Sequence, residues 1–267
     1  MHTSIEARGW KRIKVSRDKR ILTLTLSNPG MRNAVDPVMH EELAEVFYEA
    51  NRDAGSDVVV LTGEGADFCA GGDITWFRRA LAGEIPKPSA LEGKKIIASM
   101  LDLEKPLIAK VRGPAVGLGA TIALFCDVIF AAENAVFIDP HVKVGIVAGD
   151  GGAVIWPHLI GHARAKEFLM TGDPVPAQEA WRMGLVNHVV PEGELDARVE
   201  AFVKKLAGGA TQAIRYTKVS VNLGLKALVN TILDASIAYE MTTFETDDHK
   251  EAVAAFLEKR RPSFTGR

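Results

Sequence analysis

His141 and Asp150 stand nine residues apart in 137-FIDPHVKVGIVAGDGGAV-154, among glycines and apolar residues. A histidine, with an unperturbed pKa of about 6.5, can act as a general base near neutral pH. An aspartate close by can orient the imidazole or take a proton itself. Both residues also have structural uses. A turn histidine can simply satisfy a hydrogen bond, and an aspartate ahead of Gly-Gly suits a helix N-cap. Asp139 is expected to point away from His141, and His158, His162 and His188 read as surface or packing residues. Asp73 reads as an N-cap and Asp127 as a structural residue. A metal site from Asp139, His141, Asp150 and His158 matches no familiar ligand spacing, so no metal is expected.

Two glycine-rich loops, 63-GEGADFCAGGD-73 and 113-GPAVGLGA-120, follow apolar strands. Each carries a G-x-G but lacks the third glycine of the dinucleotide fingerprint. No GxxxxGK[ST] and no GxSxG occurs in the chain, which removes the P-loop and the usual hydrolase elbow. Alone, each loop reads as a tight turn. As a pair they can aim one backbone N–H each at a common point, and two such donors stabilise negative charge on a carbonyl oxygen.

The elements that would hold these residues alternate between strand and helix. Residues 21–27 and 58–63 read as strands, and Asp36-Pro37 as N-cap and first residue of a helix running to about Asn51. The segment 83-GEIPKPSA-90 reads as a mobile surface loop. A helix near 91–102, strands at 107–111 and 127–132, a helix at 176–184 and a strand at 185–190 follow. From about Glu194 the pattern is helical, with Asp248 and Glu251 as a capping box. The expectation is an α/β core over residues 1–193 that contains the site, then a helical region over 194–267.

Bulk properties narrow the function classes. With 47% hydrophobic and 25% charged residues and a net charge of −2, nothing recruits nucleic acid or an anionic membrane electrostatically. Cys69 and Cys126 are too few for a disulfide framework and fit a reducing compartment. The polar start MHTSIEARGWKRIKVSRDKR has no apolar signal core, so a cytoplasmic location is expected. No apolar run approaches the ~18 residues of a membrane span, and none is expected.

Five stretches together resemble the crotonase (enoyl-CoA hydratase/isomerase) superfamily over nearly the whole chain. They are 28-NPGMRNAV-35, 61-LTGEGADFCAGGDI-74, 105-KPLIAKVRGPAVGLGATIALFCDVIFAAENAVF-137, 171-TGDPVPAQEAWRMGLVNHVV-190 and 255-AFLEKR-260. The resemblance implies a spiral of ββα units with a C-terminal helical oligomerisation region, assembled as a homo-trimer or a dimer of trimers. It implies an acyl-CoA thioester as substrate, with coenzyme A entering as part of that substrate and no separate cofactor. The N–H groups of Gly72 and Leu118 match the oxyanion hole. Gly30, Met31, Arg32 and Ala70 match positions beside the adenosine and pantetheine. Phe256 and Lys259 match positions that reach a neighbouring subunit's CoA. Trp76 and Phe77 line the acyl pocket or belong to the core.

The resemblance breaks at the acid–base residues. A typical hydratase of this fold manages one water with two glutamates. The first address holds Thr121 here, and the second, after FIDP, holds His141. Paired-glutamate hydration therefore does not carry over with the fold. Some superfamily members use an aspartate where Asp150 stands. The branch resembling 6-oxocamphor hydrolase carries a His–Asp pair with this spacing and cleaves a carbon–carbon bond by a retro-Claisen route. Three expectations result: hydratase/isomerase-like chemistry through an enolate with His141 and Asp150 moving protons, a retro-Claisen hydrolase of a β-dicarbonyl, or a non-catalytic CoA-thioester-binding member.

Overall fold

Leu22, Leu24 and Leu26 alternate with half-buried residues and are fully buried, which makes Ile21–Leu26 a strand with one face on the core (β2). The computed structural model describes residues 4–267. Of the N-terminal stretch read above as polar, Met1–Thr3 lie outside them. The rest of that stretch includes a strand absent from the sequence expectation, β1 (Ile13–Asp18), antiparallel to β2. Ile13 is buried while Lys14, Ser16 and Asp18 are exposed, and a charged outer face is how an edge strand resists pairing with other chains.

The chain continues through α1 (Pro37–Arg52), β3 (Val58–Gly63), α2 (Ile74–Leu81), α3 (Ala90–Asp102), β4 (Leu107–Val111), β5 (Pro114–Val116) and α4 (Leu118–Leu124). Then come β6 (Val128–Ala132), β7 (Val136–Ile138), α5 (Gly152–Ile160), α6 (His162–Thr171), β8 (Val175–Pro176), α7 (Ala177–Arg182) and β9 (His188–Val190). Three helices finish it: α8 (Leu195–Ala207), α9 (Thr211–Thr243) and α10 (Asp247–Leu257). Local chemistry sets several starts. Asp36 accepts from the Met39 N–H with Pro37 in the first turn, and Asp73 accepts from Thr75 N–H at 2.8 Å.

The strands form a six-stranded sheet, ordered β1-β2-β3-β4-β6-β9, and a three-stranded sheet, β5-β7-β8. Beyond the β1–β2 pair, the large sheet is parallel throughout. The chain steps from the large sheet to the small one in each turn: β4 to β5, then β6 to β7. Earlier turns make the same step with single bridges, Val35 to Gly72 and Cys69 to Ala115. This is a spiral of ββα units, and its core lies between the sheets and the helices, with Trp156, Phe47, Phe68 and Phe137 fully buried.

The C-terminal helices differ in what they cover. Helix α8 lays Leu195, Val199 and Val203 on Val58, Val60, Ile108 and Phe130 of the large sheet. Helix α9 buries Val229, Leu233, Ser236, Ile237 and Glu240, a helical stripe, and joins the main core through Val229, Leu233 and Ile237. Its length and average composition would suffice to cross a membrane, but Lys226, Asn230 and Asp234 interrupt it, so it holds no continuous apolar run of that length. The capping box expected at Asp248 is corrected. Thr246 caps α10 by accepting from the His249 N–H. Asp248 accepts from the backbone of Thr265 and Gly266 instead, and Glu251 from Ser263 while pairing with Arg260, so both hold the chain's last residues.

Candidate active site

The spiral brings three consecutive turns to one place. Gly72 follows the Cys69 bridge, Leu118 follows β5, and His141 follows β7. Parallel pairing keeps these chain segments in step, Cys69 with Ala115 and Ala115 with Phe137, so the residues just beyond them converge. The loops touch closely: a methyl placed on Gly71 would lie 3.0 Å from Val116 O, and one on Gly119 would lie 2.6 Å from Cys69 Cβ. The N–H groups of Gly72 and Leu118 meet no acceptor among the described residues. Gly72 is exposed and Leu118 buried, and an N–H with no protein acceptor is free to receive an outside oxygen.

Gly117, between β5 and α4, adopts φ 52° and ψ −124°, a conformation open only to glycine. A methyl there would lie 3.6 Å from His141 Cε1, 3.9 Å from Nε2 and 4.0 Å from Gly71 Cα. His141 thus sits where the two glycine loops meet.

His141 opens a short 3-10 turn after Pro140 and is nearly enclosed, its side chain 10% exposed. Nε2 lies 3.4 Å from Asp150 Oδ2. Asp150 Oδ1 accepts a hydrogen bond from Thr121 Oγ1 at 3.1 Å. The N-cap of α5 is Gly151 rather than Asp150, although the Asp150 carboxylate accepts from the first helical N–H, that of Gly152. Asp139 overturns its expectation. It points at His141, with Oδ1 2.5 Å from Nδ1, because the tight Asp-Pro-His turn folds its carboxylate back under the ring.

Glu240 was not among the sequence-derived candidates. It lies on the buried stripe of α9. A methyl on Gly149 would fall 2.6 Å from Glu240 Cβ and 2.7 Å from its Oε2, which puts the carboxyl against the loop that carries Asp150. The signal existed in sequence: Glu240 continues the spacing of Leu233, Ser236 and Ile237, and an acid in a buried register is rarely accidental.

Burial and mutual charge set the protonation states. Burial pulls the His141 imidazole down, but Asp139 and then Asp150 outweigh it and hold its pKa well above the ordinary value. Burial raises Asp150, yet His141, Thr121 and the Gly152 N–H bring it below the usual carboxylate range. Glu240 is pushed up to about 8 by burial and then by the charge of Asp150. One imidazolium can balance only part of the charge of three neighbouring carboxyls, so the third keeps its proton. At neutral pH this leaves a cationic ring beside Asp150 and a neutral Glu240. Such a group can accept one proton and donate another next to a polarised carbonyl.

The other sequence candidates fall in two places. Gly30, Met31 and Arg32 form an exposed loop against Ala70, whose N–H donates to Arg32 O at 3.0 Å. Arg32 itself pairs with Asp67 at 2.9 Å. Phe256 and Lys259 are exposed at the end of α10. Phe77 covers Gly72, its Cζ 2.5 Å from where a methyl on that glycine would be, and is backed edge-on by Phe244 and His249. Trp76 is buried and donates to Pro86 O. Asp127 is structural, accepting from Leu107 N–H and pairing with Lys218. His188 stacks on Phe130 at 4.4 Å, and His158 and His162 are exposed.

Comparison with known proteins fits this architecture. A family model described as enoyl-CoA hydratase/isomerase matches residues 16–267. A crotonyl-CoA hydratase of Syntrophomonas wolfei is 33% identical over 257 residues, covering 96% of this chain and 98% of the relative. A solved enoyl-CoA hydratase/isomerase from Mycobacterium paratuberculosis superposes with a TM-score of 0.86 at 36% identity, covering 91% of this chain and 97% of that one. A β-diketone hydrolase from the cyanobacterium Anabaena sp. PCC 7120, solved with (S)-3-oxocyclohexyl acetic acid, gives 0.78 at 33% identity, covering 88% and 94%. The fold and these likenesses define an enzyme of the crotonase superfamily, of lyase or isomerase type. The chain belongs to the enoyl-CoA hydratase/isomerase family.

Proposed function

We propose that this enzyme acts on an acyl-CoA thioester through an enolate, with His141 and Asp150 doing the proton transfers that two glutamates do in a typical hydratase. The thioester oxygen would rest on the N–H groups of Gly72 and Leu118. The observation that carries this reading is that Thr121 and His141, at the two glutamate addresses, both contact Asp150, at 3.1 and 3.4 Å. The carboxylate missing from both addresses thus has a counterpart held by both replacements. Asp150 would accept the proton and the His141 imidazolium would return one, while the oxyanion hole holds the enolate between these steps. Gly30, Met31, Arg32 and Ala70 would carry the CoA moiety, and no separate cofactor takes part. The reading includes a homo-trimer or dimer of trimers in which Phe256 and Lys259 approach a neighbour's CoA. Tyr216, Val221, Leu223 and Tyr239, exposed on α9, give that region the apolar surface an interface uses.

A second reading, retro-Claisen hydrolysis of a β-dicarbonyl, is favoured by one specific likeness, the β-diketone hydrolase of Anabaena. Here a water activated by the His/Asp pair adds to one carbonyl, the carbon–carbon bond breaks to give a carboxylic acid, and the departing enolate is held in the oxyanion hole and protonated. A purely CoA-binding role accounts less well for a buried, mutually bonded acid–base group.

Product analysis by mass spectrometry separates these readings. The protein is incubated with crotonyl-CoA, β-ketoacyl-CoA thioesters and cyclic β-diketones. Turnover of a CoA thioester, reduced roughly 10²–10⁴-fold by His141→Ala and by Asp150→Asn, is the expected result. Full turnover by both variants overturns the role of the pair. Cleavage of cyclic β-diketones alone selects the second reading, and tight thioester binding without turnover selects the non-catalytic one.

A further inference from the structure

We infer that Asp139 is the positioning residue of this site, fixing His141 as an Nδ1–H donor so that proton exchange is confined to the ring edge facing Asp150. The inference rests on the proton-transfer role proposed for His141. Asp139 is fully buried, and its Oδ1 meets Nδ1 at 2.5 Å and also accepts weakly from the His141 backbone N–H at 3.4 Å. Its other oxygen, Oδ2, is buried with no donor. That oxygen points at Gly152, where a methyl would lie 2.3 Å away. A buried carboxylate with one bare oxygen is costly, and the imidazole N–H is the side-chain donor that meets its charge. Removing the Nδ1 proton would strand that charge in the interior. The proton therefore stays on Nδ1, and the ring is free to exchange only at Nε2.

This arrangement places the active edge by chain geometry. Nε2 faces Asp150, from the loop before α5, and the Gly117 backbone, from the β5–α4 turn. Glu240, from α9, is the third carboxyl that senses the ring's charge. From α10, Asp248 and His249 pack against the far end of the same 3-10 turn at Gly145. Lys143, within that turn, is paired with Asp173 at 3.3 Å. None of these replaces Asp139 at Nδ1.

The test reads the imidazole directly, without substrate. Long-range ¹H–¹⁵N spectra of ¹⁵N-histidine-labelled protein are recorded from pH 5 to 9 for the wild type, Asp139→Asn and Asp139→Glu. The wild type is expected to keep His141 Nδ1 protonated throughout, Asp139→Asn to let it titrate or change tautomer within that range, and Asp139→Glu to restore the wild-type pattern in part. For whichever substrate is turned over, Asp139→Asn should lower kcat by about 10²-fold or more with little change in KM, and shift the pH–rate profile. Gly152→Ala, which keeps the carboxylate but presses on Oδ2, should perturb the same signal and serves if Asp139→Asn does not fold. Unchanged His141 spectra and pH profile with only a lower Tm would make Asp139 a turn residue and overturn the inference. If no substrate is turned over, the proposed function fails while the spectra still decide the role of Asp139.

Discussion

Two charge clusters in this molecule are built on opposite principles. Around the end of α1, Arg17 grips Asp53 at 2.8 and 3.0 Å, and Arg20 grips Asp57 at 2.6 and 2.8 Å. Lys105 donates to Ala50 O, Asp53 O and Ser56 Oγ, and Arg215 reaches from α9 to Asp57 at 2.6 Å. The three arginines there meet carboxylates while Lys105 meets neutral oxygens, and the bonds tie a loop, a strand and a C-terminal helix together. Around His141 a single imidazole faces Asp139, Asp150 and Glu240, and one carboxylate oxygen has no donor. The first cluster is what folding favours, because each of its carboxylates is met by a cation, although Arg215 Nε is left without an acceptor. The second keeps excess negative charge in the interior, which folding alone disfavours and which shifts the pKa values of its members as functional sites do. The mismatch between acids and bases marks the site better than the mere presence of buried charge.

The comparison predicts that equivalent substitutions have opposite consequences. The largest effect is expected from Asp150→Asn, which should cost activity by roughly 10²–10⁴-fold while leaving the urea midpoint unchanged or higher, since it removes one of the two buried carboxylates that share a single imidazolium. A large stability loss in that variant would break the contrast. Next is Asp53→Asn, expected to cost about 1.5–3 kcal/mol of stability by urea titration with kcat unchanged. Burial would raise Asp53, but Arg17 and Ser56 bring it down to about 2. Its contribution is present above the unfolded value of 3.8 and is lost as pH falls through about 2. The smallest effect concerns Glu240. Its folded pKa of about 8 lies above the ordinary 4.5, so the native state holds the extra proton between those values. Stability should therefore decline as pH rises from 4.5 to 8. Glu240→Gln should flatten that decline, by a few °C in Tm between pH 5 and pH 8; an unaltered slope would remove Glu240 from the cluster.

What could be read in advance was what depends on neighbours in sequence. The start of α1 followed from Asp36-Pro37, and the buried run Val58–Thr62 announced a strand. β1 escaped because its outer face is charged and only Ile13 of its six residues is buried. The α10 cap was misplaced because Thr246 and Asp248 are both good caps, and the choice turned on the chain end occupying Asp248. At the site, His141 and Asp150 were visible as a pair, whereas Asp139 was expected elsewhere. Its direction depends on the turn at Pro140 and on the room left by Gly152, thirteen residues farther on. Glu240, from a helix ninety residues beyond Asp150, offered only its register.

The sequence by itself determined which chemistry is available: two glycine loops with backbone N–H groups to offer, a histidine and an aspartate nine residues apart, and threonine and histidine where a typical hydratase has glutamates. It also determined the family, because motif order and spacing survive where single residues do not. Only the tertiary structure decided how protons are distributed among those groups. Protonation depends on burial and on charges within a few ångströms, and the spiral brings those charges together from β7, the loop before α5 and α9. Distance along the chain carries no information about that sum.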